Sequence, residues 1–252
     1  MQWVPHDDGF ELRTAISREE FAVADAELGE MDWASIDPQP VRKSGGVRHG
    51  FTPAAYYWQR SGEHVWCESQ QERWELLWLD YSAQLDLVWS QPMIINFGFD
   101  SKLAGDSHVP DFFALTTDGD YSLWDVRPLA QVTEHARLQF DETARVCRRM
   151  GWHYEVLSGH HPRASRNLNC IAASRHDRCR PTTAIEQLLI EAARHGETRS
   201  ALCAIASPDY PPLAAAWVDN LAWRRLLTVD LTSPVRNDTI YTSVIERWTQ
   251  DA

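Results

Sequence analysis

Lysine is almost missing from this chain. Of its 24 basic residues only Lys43 and Lys102 are lysine, and the other 22 are arginine. With abundant alanine and tryptophan, that skew suggests a GC-rich genome, and it bears on one position below. Cysteine is sparse and oddly numbered. Cys67, Cys147, Cys170, Cys179 and Cys203 form no C-x-x-C pair, which argues against a zinc or disulfide framework and for reduced thiols. No apolar run approaches the length of a membrane span, and the first fifteen residues are polar and acidic. A soluble, cytoplasmic protein without a membrane partner is expected. Excess positive charge is missing too: the net charge is −12, so the global field gives no support to nucleic-acid binding.

That charge is unevenly spread. Residues 1–40 hold ten acids and two bases, whereas residues 134–180 hold nine arginines and five acids. The acidic arm reads either as a solvated surface segment or as a contact for a basic partner. At 252 residues and 44% apolar content the chain can bury one substantial core, with room for a second, smaller domain. Three regions are expected: an acidic arm and Gly-rich basic loop over 1–50, a main domain over 51–180, and a small domain over 181–252.

Within the main domain, YYWQRSGEHVWCES reads as a hairpin turning near Ser61-Gly62. A helix follows over about Glu68–Tyr81. Its Trp74, Leu77, Trp78 and Tyr81 form the expected buried stripe, and Glu72 aligns with Leu76 and Leu79 on a neighbouring one, able to face a sheet. Strand candidates come next at Leu85–Phe97, Val109–Thr116 and Tyr121–Val126, the last two joined by the turn TTDGD. A helix over Glu134–Met150 ends at Gly151, with Arg148 and Arg149 in its last turn. Trp152–Leu157 is a short strand. The order helix, three strands, helix, strand predicts an α/β core with a mixed sheet flanked by helices.

The chemistry concentrates in HVPDFFALTTDGDYSLWDVRP, His108–Pro128. Pro110-Asp111 opens one strand and Asp125-Val126-Arg127 closes the next. Hydrolysis of a phosphodiester needs charge neutralised on the phosphate, a water made nucleophilic and a stabilised leaving oxygen. Hard Mg²⁺, or Mn²⁺ in its place, suits this and takes oxygen ligands. Asp111 is the expected central ligand. Asp125 and the Val126 carbonyl supply a second side, and Glu72 completes the set. Arg127 stands beside them as the cation that orients water and phosphate. Taken singly, each has a plainer reading: Pro-Asp as turn chemistry, Glu72 as a salt-bridged helix residue, Asp125 and Arg127 as pairing with neighbours.

The order and spacing resemble the restriction-endonuclease-like core, whose motif is P-D, a gap, then (D/E)-x-K. Glu68–Pro92, then VPDFF and WDVRP, resemble more particularly the TnsA family, the endonuclease subunit of heteromeric transposases. The matching positions are Ser69 to Glu72, Gln91-Pro92, Asp111-Phe112 and Asp125–Pro128, and the likeness continues through WHYEVLSGHHPRASRNLNCIAASR. The resemblance implies metal-dependent cleavage of double-stranded DNA at transposon ends, within an assembly containing a DDE transposase and an ATPase regulator. Where the family has an acid or amide, this chain has Asp125. Where it has lysine, this chain has Arg127, which keeps the charge but cannot act as a general base. A nuclease-like scaffold that binds DNA or partners without cutting, and a phage-defence nuclease, are the alternative readings.

Residues 181–252 are expected to form three helices, over Ala184–His195 with Thr183 as N-cap, Arg199–Ile205 and Pro211–Leu227, and a hairpin of Leu227–Leu231 with Thr239–Val244. This resembles a winged helix, which the family uses to dock the ATPase regulator. Arg145, Arg148, Arg149, Arg163 and Arg166, with Arg42, Lys43 and Arg48, are the candidate DNA-backbone contacts. Adjacent His160 and His161 read as incidental to the chemistry.

Overall fold

The computed structural model describes residues 10–16, 19–24, 31–41, 53–82 and 84–244. Arg42, Lys43 and Arg48 lie outside them. The chain divides into two compact units, Met1–Gly159 and His160–Ala252.

The first unit is mixed α/β. Strand β1 (Phe10–Ile16) pairs antiparallel with β2 (Glu19–Ala24). A one-turn helix α1 (Trp33–Ile36) follows, and the hairpin β3 (Ala54–Trp58) and β4 (Glu63–Cys67) turns through Gly62 at φ 75. Helix α2 (Gln70–Ser82) leads to β5 (Leu85–Ser90), β6 (Met93–Phe97), β7 (Ser107–His108), β8 (Phe112–Thr116) and β9 (Tyr121–Val126). Helix α3 (Glu134–Met150) and β10 (His153–Leu157) complete it. α3 starts at the Thr133 hydroxyl, which accepts from the Ala136 N–H. It stops at Gly151, whose φ of 71 suits a residue without a Cβ.

Two sheets result. One runs β2-β1-β6-β7 and the other β10-β9-β8-β5. In the second, β8 is antiparallel to both neighbours and β10 is parallel to β9. That makes β8 the one strand running against the rest. Trp89, Phe113 and Leu123 alternate onto one face and enter a core with Val146 and Cys147 of α3 and with Leu12 and Ile95 of the other sheet. Phe112, Ala114 and Trp124 alternate onto the other face and are equally buried. α2 packs on the β3–β4 hairpin and reaches β9.

Three expectations change. The apolar run Leu85–Phe97 is two strands in different sheets, because Gln91 takes φ 47 and Pro92 has no N–H for a ladder. On α2 the buried positions are Glu72, Glu75, Leu76, Leu77 and Leu79, while Trp74, Trp78 and Tyr81 are half-buried. The stripe that faces inward is thus the one carrying Glu72. Finally, part of the acidic arm is built into the fold. Phe10 and Leu12 are buried, and β1 pairs with β6 from Phe10↔Phe97 to Thr14↔Met93.

The second unit holds α4 (Pro162–Ala172), α5 (Thr183–Ala192), α6 (Arg199–Ala206) and α7 (Pro211–Trp223). Strands β11 (Glu197–Thr198), β12 (Leu227–Val229) and β13 (Ile240–Ser243) form an antiparallel sheet in the order β11-β13-β12. Thr182 rather than Thr183 caps α5, its hydroxyl accepting from the Ile185 N–H. The core gathers Leu189, Leu202, Val218, Leu221 and Tyr241.

Candidate active site

Asp111 follows Pro110 immediately before β8 and is held from three sides. Its N–H donates to the Trp124 carbonyl at 3.1 Å, and its carbonyl accepts from the Gln91 N–H at 2.9 Å. Its Oδ2 accepts from the Val126 N–H at 2.7 Å. One carboxylate therefore ties the start of β8 to the end of β9, while its own backbone ties it to the end of β5. Phe112 pairs with Trp124, so one residue further along the same register Asp111 stands opposite Asp125.

Asp125 is buried, 3% exposed. His108 Nε2 lies 2.9 Å from each of its oxygens, and the Tyr154 hydroxyl donates to Oδ2 at 2.5 Å. Burial, and then the Asp125 charge, raises the Tyr154 phenol well above its ordinary range, so it stays a proton donor to the carboxylate. The same two causes push the neighbouring Cys147 thiol up to about 12.

Glu72 sits in the first turn of α2 as half of a capping box. Its N–H donates to Ser69 Oγ at 3.2 Å, and its carboxylate accepts from the Ser69 hydroxyl and the Glu68 N–H, each at 2.7 Å. The Ser-x-x-Glu spacing thus has a local structural job. Its surroundings connect it with Asp111: burial pushes the Cys67 thiol up to about 12, with Glu72 and Asp111 both adding to the rise. Asp111 likewise acts on Tyr154 together with Asp125.

Arg127 is exposed just beyond β9, its N–H donating to the Leu157 carbonyl at 2.9 Å. Its guanidinium makes no ion pair among the described residues. An exposed cation therefore follows Asp125 by two residues at the end of β9.

Among the described residues, no three His, Cys, Asp or Glu side chains converge tightly enough to form a ready metal cage. The physical reason is visible in the hydrogen bonds, since each carboxylate leans on protein donors. An ionised carboxylate has about four lone-pair sites, so one that accepts from protein donors can also coordinate a cation. Carboxylate and carbonyl oxygens are the donors that hard divalent ions take. At the end of β5 the buried Ser90 hydroxyl and Gln91 side-chain amide have no hydrogen-bond partner among the described residues. These oxygen donors are of the kind that Mg²⁺ or Mn²⁺ takes, but they are not gathered into a cage among the described residues.

The candidate DNA contacts divide. Arg145 reaches Asp100 at 2.7 Å and Glu142 at 3.0 Å. Burial disfavours its charge, but those two partners outweigh it and hold the guanidinium's pKa above its usual value, so most of its charge is spent internally. Arg149 is exposed, 3.9 Å from Asp100, with its guanidinium over the Phe10 ring. Arg148 in the first unit and Arg163 and Arg166 in the second are exposed. His160 and His161 are exposed as well.

Sequence reasoning overlooked His108 and Tyr154. Neither belongs to a periodic pattern. The available signal was the parity of neighbouring strands: Tyr154 pairs with Leu123, so it shares a sheet face with Asp125 two residues on. Set against known proteins, the chain matches no family model and no curated protein.

Proposed function

We propose that this chain is a metal-dependent DNA endonuclease subunit of a heteromeric transposase, cutting phosphodiester bonds at transposon ends beside a DDE transposase. The observation that carries the reading is the 2.7 Å hydrogen bond from Val126 N–H to Asp111 Oδ2. It couples the P-D element to the D-V-R element at the ends of adjacent antiparallel strands. The sheet order β10-β9-β8-β5, with β8 running against the others, supports a restriction-endonuclease-like core.

Asp111, Asp125, Glu72 and the Val126 carbonyl would hold the cation. When bound, a divalent cation neutralises charge on the scissile phosphate and lowers the pKa of its water. Arg127 takes a non-bridging phosphate oxygen. It is permanently charged, so its part is electrostatic and the water's proton must leave by another route. Ser69 and the Glu68 N–H orient Glu72, as His108 and Tyr154 orient Asp125.

Three helices over residues 183–223 and a three-stranded antiparallel sheet support a winged-helix-like second unit. Several of its arginines are committed to ion pairs within the unit, two of them part-buried. Arg199 meets Asp219 at 2.8 Å, and Arg224 pairs with Glu186. Exposed Tyr210, Leu213 and Leu188 favour a protein partner, the ATPase regulator, over base reading for this unit.

Two observations favour a second reading, a scaffold that binds without cutting. Both Asp125 oxygens are already engaged, and arginine replaces lysine at 127. The test is nicking of transposon-end DNA with the partner transposase present, in Mg²⁺ and in Mn²⁺. Wild type should nick, and Asp111→Ala should lose nicking by at least a hundredfold, on the order expected when a central charge-stabilising group is removed. Full cleavage by Asp111→Ala would sink the proposed site. An inert wild type that gains cleavage on Arg127→Lys would establish the scaffold instead.

A further inference from the structure

The β8–β9 turn lies at the end of its sheet opposite Asp111 and Asp125, which stand before β8 and near the end of β9. The length of β8, roughly 15 Å at about 3.3 Å per residue, separates the two ends. At the turn the fold leaves a cavity of about 150 Å³. Its lining includes Trp33 of α1, Tyr121 of β9 and Trp152, with Met31, Met150 and Asp120 beside them. A Cβ added at Gly119 or Gly151, which also line it, would meet nothing within 4 Å, so the mouth is unobstructed.

The three rings are held in place from behind by Phe113, which is fully buried. Tyr121 stacks on it at 5.1 Å, Trp152 tilts against it at 4.7 Å, and Trp33 meets it edge-on at 5.5 Å. Trp33 and Trp152 stand at 82° to each other, and Tyr121 and Trp152 at 58°. Ring faces carry negative charge density, and a cation set among rings so steeply inclined is attracted by it. Met31 and Met150 add polarisable thioethers. The exposed Asp120 uses its backbone in the turn, while its carboxylate makes no hydrogen bond or ion pair among the described residues.

Size and charge select the ligand. Pockets for free small molecules run to about 300–1,000 Å³, so this one admits a head group whose remainder lies outside. A carboxylate on the lining repels phosphate-bearing ligands and gains nothing from an apolar side chain. Guanidinium is planar, weakly hydrated and stacks on aromatic rings, whereas an ammonium holds its water more strongly. The net charge of −12 draws basic partners toward the chain. We propose that this cavity receives the guanidinium of an arginine presented by a partner protein, with the ring walls and Asp120 sharing its charge. The site stands apart from the chemistry at Asp111 and does not depend on it.

The test uses N-acetyl-arginine methylamide as the probe. It is titrated into the full chain carrying isotope-labelled tryptophan, and the indole N–H resonances are followed by NMR. The Trp33 and Trp152 signals should shift saturably. Capped norleucine, of similar length but uncharged, should bind at least roughly 5-fold more weakly. Methylguanidinium, which lacks the aliphatic stem, should also bind more weakly. Tyr121→Leu keeps apolar bulk without the ring and should weaken binding roughly 3- to 30-fold. Asp120→Asn, at an exposed position, should weaken it roughly 2- to 5-fold, with the difference shrinking at high salt. That variant decides the outcome if Tyr121→Leu does not fold. No saturable shift in wild type, equal binding of capped norleucine, or wild-type affinity in either folded variant would overturn the proposal. Methylguanidinium binding as tightly as capped arginine would overturn the protein partner and assign the cavity to a free small cation.

Discussion

Glu75 lies one turn beyond Glu72 on α2 and is 1% exposed. Burial is the main cause that pushes its carboxyl up to about 7; Glu155 adds to the rise, and hydrogen bonds from Gln71 and the Gly159 backbone restrain it. Gln71 Nε2 donates to Oε1 at 2.8 Å. In the unfolded chain the same group titrates near 4.5. Between those values the folded protein binds the extra proton, so stability is fully present below about pH 4.5 and falls as pH rises through about 7. The displacement corresponds to a limit of about 3.5 kcal/mol at about 1.4 kcal/mol per unit, and discounting for relaxation around the charged form leaves about 1–2 kcal/mol. Glu75→Gln keeps the oxygen that Gln71 needs and cannot ionise. Urea unfolding of wild type and Glu75→Gln at pH 5 and pH 8, followed by tryptophan fluorescence, measures the difference. The variant should match wild type at pH 5 and exceed it by about 1–2 kcal/mol at pH 8. A difference independent of pH, or a less stable variant at pH 8, would refute the argument. Because both proteins share every other titrating group, the comparison isolates Glu75.

Two further outcomes follow from the hydrogen bonds around the site. Tyr154→Phe removes a donor from the buried Asp125 and should cost about 1–3 kcal/mol in urea unfolding; unchanged stability would mean that the carboxylate does not depend on it. Ser69→Ala removes the hydroxyl that both caps α2 and bonds Glu72, and should cost about 1 kcal/mol, with Ser69→Asp restoring most of it if capping is the cause.

The legibility of the site can be traced residue by residue. Asp111 and Asp125 were readable because they flank a turn of fixed length, TTDGD, and antiparallel pairing then sets them opposite each other. The turn closes as expected, with the Thr116 N–H donating to the Asp120 carbonyl at 2.8 Å and Gly119 at φ 90. α3 was readable to the residue, since Thr133 and Gly151 mark its ends chemically. The stripe on α2 was misjudged because tryptophan and tyrosine are apolar enough to suggest a core face yet sit half-buried here, their large rings reaching the rim. Leu85–Phe97 looked continuous because hydrophobicity carries no record of a chain reversal. Gln91-Pro92 was the only local sign of one.

By itself the amino-acid sequence determined what short-range rules govern: strand and helix order, caps, turns, and the placement of two acids and a cation at adjacent strand ends. Only the tertiary structure decided which donors those acids lean on. His108 and Tyr154 reach Asp125 from β7 and β10, strands of two different sheets, and Gln91 meets Asp111 across a strand edge. Likewise α4, which follows β10 in the chain, packs in the second unit through Ile171. Such contacts depend on sheet order and crossover, which arise from packing many side chains at once, whereas periodicity reports only on neighbours within a turn or a pleat.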